Sequence, residues 1–194
     1  MLLSSSRRSA LLHRVRSNQG MTLIEVMVSV LVLTLCTWML STTLMASAHH
    51  ADSKRERALA VNSAANLLEH LHALPFDQVF ALYNESPEDD PLGPGTAPGS
   101  HFPVEGLEPL LKDADGFVGR LLLPSPGPSL REDTDNKRLG LPRDLNGDLN
   151  IDEEDHRGDY LILPLVIEVE WQGSAGRRLF NLETILSGIG RHDQ

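Results

Sequence analysis

Asn18-Gln19-Gly20-Met21-Thr22-Leu23-Ile24-Glu25-Val26-Met27-Val28 sets one carboxylate at the threshold of a long apolar run. From Val26 to Ser47 there are 22 residues without a formal charge, enough to cross a hydrocarbon core at about 1.5 Å per residue. The run predicts a transmembrane helix. An ionised carboxylate that close to hydrocarbon is costly unless something pairs with it, so Glu25 asks for a partner. On the other side, residues 1–20 carry Arg7, Arg8, Arg14 and Arg16 and no acid. By the positive-inside rule the N-terminus stays in the cytoplasm and the rest crosses the membrane. A secretory signal peptide has the same basic start, but its apolar region is short and ends in a small-x-small site. Here the run is long, is dotted with Ser29, Thr34, Thr37, Ser41, Thr42 and Thr43, and passes into a helical pattern.

The charge that follows is of the opposite sign. The chain has 194 residues, with 17 Lys and Arg against 27 Asp and Glu, a net charge of −10. Since the first 20 residues hold four of the bases and none of the acids, the remainder stands at 13 against 27, or −14. Such a surface excludes a protein built to coat nucleic acid. The single Cys36 excludes an intramolecular disulfide. With 5% aromatic residues, 12 Pro and 15 Gly, any core is small, aliphatic and loop-rich, which fits one modest domain plus an anchor.

The quoted stretch resembles the leader and methylation motif of type IV pilins and type II secretion pseudopilins: a short basic leader ending in Gly20, then Thr22-Leu23-Ile24-Glu25 and an apolar helix. The resemblance implies cleavage after Gly20 by a membrane prepilin peptidase and N-methylation of the new terminal residue, Met21. It also implies a partner for Glu25, the Met21 amine of a neighbouring subunit in the filament core. A subunit entering in the wrong axial register would leave one buried charge unpaired, at a cost of about 3–5 kcal/mol. The implied partners are prepilin peptidase, other pilin or pseudopilin subunits and an inner-membrane assembly platform. Met21 in place of Phe, the absence of Gly or Pro from Met21 to Ser53, and the lack of a C-terminal Cys pair resemble minor pilins or pseudopilins more than major pilins. Asn66 to Phe76 also resembles the helix end of minor pilins of the PilV kind.

Beyond Asp52 the helical pattern continues. Ala58, Val61, Ala65, Leu68 and His72 recur at three- and four-residue spacing, flanked by Leu67, Leu71 and Leu74, until Pro75 ends the helix. A helix from Met21 to Leu74 would be about 80 Å long. Residues 85–103, with Pro87, Pro91, Pro94, Pro98 and Pro103 among Gly93, Gly95 and Gly99, predict an irregular surface loop. Phe117 to Leu123 reads as a strand. Tyr160 to Trp171 and Arg177 to Ser187 alternate apolar with polar residues and predict a hairpin across Gln172 to Gly176. The expected fold is therefore α+β, a long N-terminal helix packed on a small antiparallel sheet. Its parts are a leader (1–20), a membrane or filament-core helix (21–51), an amphipathic half-helix (52–75) and a periplasmic or extracellular head (76–194).

Within that head, Asp144-Leu145-Asn146-Gly147-Asp148-Leu149-Asn150-Ile151-Asp152-Glu153-Glu154-Asp155 places oxygen-bearing side chains at Asp144, Asn146, Asp148, Asn150, Asp152 and Asp155. This is the spacing by which EF-hand and dockerin-like loops wrap Ca²⁺, the seventh position giving a backbone carbonyl. Four aspartates brought to one centre repel one another unless a divalent cation neutralises them. Leu149 stands where the turn normally needs Gly and would be strained in a left-handed conformation, and Asp155 replaces the usual Glu. Pro142 and Gly158 leave little room for flanking helices, so the loop is expected between coil and strand.

No catalytic constellation appears. His49-His50 follows the apolar run, His70 and His72 point to different faces of one helix, and His101 lies in the proline-rich loop. Neither Ser100-His101 nor Cys36 in its apolar span reads as a nucleophile. The sequence thus predicts a non-catalytic pilus or pseudopilus subunit that spans the bacterial inner membrane once before assembly, with a head for priming, adhesion or substrate contact. The alternative is a membrane-tethered, calcium-dependent binding module that never polymerises.

Overall fold

The computed structural model describes residues 21–113, 115–174 and 176–188. Gly20 and the leader lie outside them. The chain divides after Ala46 into two units, and helix α1 (Leu23–Ala73, 51 residues) contributes to both.

In the first unit every described residue is exposed, including Leu23 at 82% and Trp38 at 65%. This part of α1 is long and apolar enough to cross a membrane. Five of its hydroxyls do not stand free. Thr34 Oγ1 donates to the Val30 carbonyl at 2.7 Å, Thr37 Oγ1 to Leu33 at 3.0 Å, Ser41 Oγ to Thr37 at 2.9 Å, and Thr42 and Thr43 to Met39 at 2.8 and 2.9 Å. These five hydroxyls are thereby satisfied within the helix, as a hydrocarbon surrounding favours.

The second unit packs the later part of α1 and a short helix, α2 (Phe76–Tyr83), with a four-stranded antiparallel sheet. The strands are β1 (His101–Phe102), β2 (Gly119–Leu122), β3 (Ile162–Gly173) and β4 (Gly176–Ser187), ordered β1-β2-β3-β4. β3 and β4 pair along their whole length, from Ile162 opposite Ser187 to Gly173 opposite Gly176. The expected alternation holds at the hairpin end, where Ile167, Val169 and Trp171 are buried and Glu168 and Glu170 are not. In the first half of β3, Leu163, Pro164, Leu165, Val166 and Ile167 are buried in succession, because a central strand is covered on both faces.

Four sequence expectations are corrected. The buried stripe of α1 is Ala60, Ala64 and Leu71 with half-buried Leu67, Leu68 and Leu74, while Ala58, Val61, Ala65 and His72 face out. Apolar residues occur nearly all round this segment, and the choice of face falls to the two alanines, whose methyls admit the neighbouring core closest to the helix backbone. Second, Pro75 ends α1 but also starts α2, its fixed φ of −55° serving as the N-cap. Val79, Phe80 and Tyr83 of α2 enter the core, and the Tyr160 hydroxyl donates to the Phe76 carbonyl at 2.5 Å. Third, the proline-rich loop is mostly irregular but closes with β1, and Asp90 pins it by accepting from the Thr96 and Ala97 N–H groups at 2.9 and 3.2 Å. Fourth, β2 is shorter than the expected strand and β3 begins at Ile162, since the Leu161 and Ile162 N–H groups both donate to the Leu145 carbonyl, at 2.8 and 3.1 Å.

Ala64 has no exposed surface. Ala64→Leu is expected to destabilise the head by about 1–3 kcal/mol through overpacking, measured by denaturant unfolding of the full chain in detergent. An unchanged midpoint would show that this helix face is not in the core.

Candidate functional site

Two places in the chain carry the residues singled out above, the start of α1 and the acidic loop. At the start of α1, the Glu25 N–H donates to the Thr22 carbonyl at 3.0 Å and to Thr22 Oγ1 at 3.3 Å. Thr22 thus caps the helix, and the Thr-x-x-Glu spacing puts a carboxylate in the first turn, where the helix dipole favours it. Met21 precedes the helix and is 68% exposed, and Glu25 is also exposed.

The acidic loop lies between coil and strand, with no flanking helices. It is built from successive turns in which a side-chain oxygen accepts a nearby N–H. Asp144 takes the Gly147 and Leu149 N–H groups at 2.5 and 2.8 Å, Asn146 takes Asp148 at 3.1 Å, and Asp148 takes Asn150 at 2.7 Å. Gly147 and Leu149 both have left-handed backbones, with φ of 83° and 71°. Among the described residues Leu149 is the one non-glycine with positive φ, at a cost of about 1–2 kcal/mol. The remaining candidate ligands point elsewhere. Asp152 Oδ1 accepts from the Glu154 N–H at 2.8 Å and faces His156 Nε2 at 3.1 Å, and the Glu154 N–H and His156 hold its carboxyl below the ordinary value. Asp155 accepts the Leu130 N–H at 2.9 Å and Arg157 Nε at 2.8 Å. Asp144, Asn146 and Asp148 therefore line one turn, while Asp152 and Asp155 brace the loop from outside. Among the described residues no three His, Cys, Asp or Glu side chains are placed to hold a metal.

The family model for the prokaryotic N-terminal methylation motif matches residues 15–41. The N-terminus is of the type IV prepilin-like family. The match takes in Gly20, Met21, Glu25 and most of the apolar run, and none of the head. Compared with curated proteins and with solved structures, the chain matches none. The prepilin-like motif implies processing by prepilin peptidase and assembly with other pilins.

Beneath the loop sits a pair that sequence reasoning missed. Glu132 has no exposed surface; its Oε1 accepts the Leu145 and Asn146 N–H groups at 2.5 and 3.1 Å, while its Oε2 has no hydrogen-bond partner. His156 is also buried, with Nε2 at 3.1 Å from Asp152 and 3.9 Å from Glu132, and Nδ1 at 3.2 Å from Asp159. Burial opposes its charge, but the Asp152, Glu132 and Asp159 carboxylates outweigh burial and raise its pKa above the ordinary value. A carboxylate at each ring nitrogen suits the doubly protonated imidazolium. Neither residue had a readable pattern. Glu132 lies in the charged string Arg131-Glu132-Asp133, and His156 in a hydrophilic loop.

One other chain of polar contacts bears on catalysis. Ser100 Oγ lies 3.0 Å from His101 Nδ1, and His101 Nε2 lies 3.1 Å from Asp115. Ser100 is buried and its carbonyl accepts the Leu121 N–H at 2.7 Å, so the trio ties the turn at Asp115 to the end of the sheet. The Phe117 N–H is the main cause that holds the Asp115 carboxyl below its ordinary value.

Glu132→Ala removes the acceptor for two N–H groups of the loop and is expected to cost about 1–3 kcal/mol for each one left unsatisfied. Glu132→Gln keeps an acceptor there and should cost less. Denaturant unfolding of both full-length variants tests this order, and equal stabilities would refute it.

Proposed function

We propose that the protein is a non-catalytic structural subunit, cleaved after Gly20, methylated on Met21 and assembled by its apolar stem into a type IV pilus or type II secretion pseudopilus as a minor member. What carries this reading is the stem itself: an exposed apolar helix with one carboxylate in its first turn, inside the matched residues 15–41. Proteins of the pilin-like kind are in general structural subunits. Such a helix is compatible with single-pass anchoring in a membrane. On this reading the N-terminus faces the cytoplasm, the head faces the periplasm, and an inner-membrane platform transfers the subunit to the filament. Glu25 then meets the Met21 amine of its neighbour and reports axial register.

The acidic loop adds a cation to the reading. Ca²⁺ takes six to eight oxygens. Asp144, Asn146 and Asp148, the Asn150 carbonyl, and Asp152 and Asp155 once turned inward supply that chemistry. The left-handed backbone at Gly147 and Leu149 supports it, because it curls the chain tightly around Asp144, Asn146 and Asp148. Affinity is expected near that of extracellular calcium modules, about 10⁻⁴ to 10⁻³ M.

Glu25→Ala is expected to leave membrane insertion and leader cleavage intact and to remove the protein from sheared filaments. Recovery at the level of the unmutated chain would refute the register role. Mass spectrometry of the mature protein is expected to begin at methylated Met21; an intact residue 1–20 segment would favour a tethered module that does not polymerise. For the loop, calcium at about 100-fold above its Kd is expected to stabilise the full chain by about 2.7 kcal/mol, and Asp148→Ala to abolish that increment. Equal melting temperatures with calcium and with chelator would remove the metal.

A further inference from the structure

The head is acidic overall, yet one groove in it is basic. Lys54 and Arg57 on α1 and Arg178 on β4 line a groove of about 340 Å³ together with Trp171, Leu179 and Phe180. Arg178 Nη2 donates to Ser53 Oγ at 3.1 Å, which holds the guanidinium beside the helix. Lys54 and Arg57 make no ion pair among the described residues. Glu56, the acid between them in sequence, is turned away, accepting Trp171 Nε1 at 3.1 Å and the Ser174 N–H at 3.2 Å. Three unneutralised cations beside an apolar lining call for an acidic segment that carries an apolar side chain.

The acidic loop is such a segment. Leu149 is 94% exposed and Ile151 48% exposed, although both are aliphatic. The Glu153 side chain stays 83% exposed with Arg131 at 3.7 Å, and the Glu154 carboxylate makes no ion pair among the described residues. Two exposed acids thus follow two exposed aliphatic side chains.

We infer that the acidic loop of one copy docks in the basic groove of a second copy, with Leu149 and Ile151 against Trp171, Leu179 and Phe180, and Glu153 and Glu154 facing Lys54, Arg57 and Arg178. The two surfaces are different, so the contact is heterologous: each copy that uses its loop keeps its groove free for the next. Charge complementarity steers the encounter and fixes its orientation, and apolar burial supplies the affinity. The inference rests on the assembly reading for the setting in which two copies meet, and it adds that copies of this minor member sit next to one another.

The test is disulfide trapping in membranes and in sheared filaments, with two tagged forms of the full chain carrying Cys36→Ser, one with Leu149→Cys and the other with Leu179→Cys. The mixed pair is expected to crosslink at least tenfold more than either same-site pair. Arg57→Glu with Arg178→Glu on the groove copy should abolish the crosslink, and Glu153→Lys with Glu154→Lys on the loop copy should restore it, which also shows that the reversed groove is folded. Equal crosslinking in same-site pairs, or indifference to the charge reversals, overturns the contact. So does a crosslink absent in both settings while Arg57→Glu with Arg178→Glu weakens binding to anionic phospholipid vesicles, which would assign the groove to lipid. A crosslink missing from filaments that contain the protein overturns the contact and leaves the assembly reading standing. A crosslink formed in membranes by a protein that never enters filaments overturns the assembly reading alone, and failure of both overturns both.

Discussion

The first unit cannot be hydrated at reasonable cost, and the rest of the molecule is arranged around that constraint. Leu23, Ile24, Met27, Leu31, Leu33, Trp38, Leu40 and Leu44 all stand in the open on one continuous helix. Covering an aliphatic side chain is worth about 1.5–3 kcal/mol, so this sum exceeds any single contact in the head. Lipid or neighbouring stems have to supply the cover. Once covered, the helix has one ionisable group at its rim, Glu25, and its cost depends on what meets it there. A chain of this kind holds its information on partners at two scales: bulk apolar area that is indifferent to identity, and one carboxylate that is not.

Legibility in the sequence follows from periodicity. The apolar run was readable because 22 uncharged residues have few alternatives, and the β3–β4 hairpin because alternation at Ile167, Val169 and Trp171 admits one burial face. The Thr22–Glu25 start was readable as a motif, and its cap geometry agrees with it. The face of α1 was not readable. Ala58, Ala60, Val61, Ala64 and Ala65 offer nearly equivalent stripes, and a stripe is chosen only when a sheet arrives to occupy it. α2 was hidden for a related reason, since Phe76–Tyr83 is shorter than a self-stabilising helix and owes its order to Tyr160 and the core.

The acidic loop was legible in its spacing and opaque in its support. Reading it as a turn that demands a left-handed residue at Leu149 anticipated the observed backbone. Nothing in the string announced that Glu132, more than ten residues upstream, would be buried beneath it with His156 as neighbour. Such buried polar pairs carry no local pattern, because their partners are brought together only by the path of the chain. They are also where the loop is most firmly held, since Glu132 serves two of its N–H groups while Asp152 and Asp159 flank the imidazole.

The back-bonded hydroxyls of the first unit have a mechanical corollary. Thr34, Thr37, Ser41, Thr42 and Thr43 spend their protons on carbonyls of their own helix, so they have none left with which to grip a neighbour. Between Thr34 and Thr43, stems packed side by side would touch chiefly through dispersion, an attraction that changes little as one rod slips or rotates past another. On the assembly reading, a bundle of such rods would be slippery in its middle and indexed at its charged end, and would flex and stretch without breaking the hydroxyl bonds within each rod.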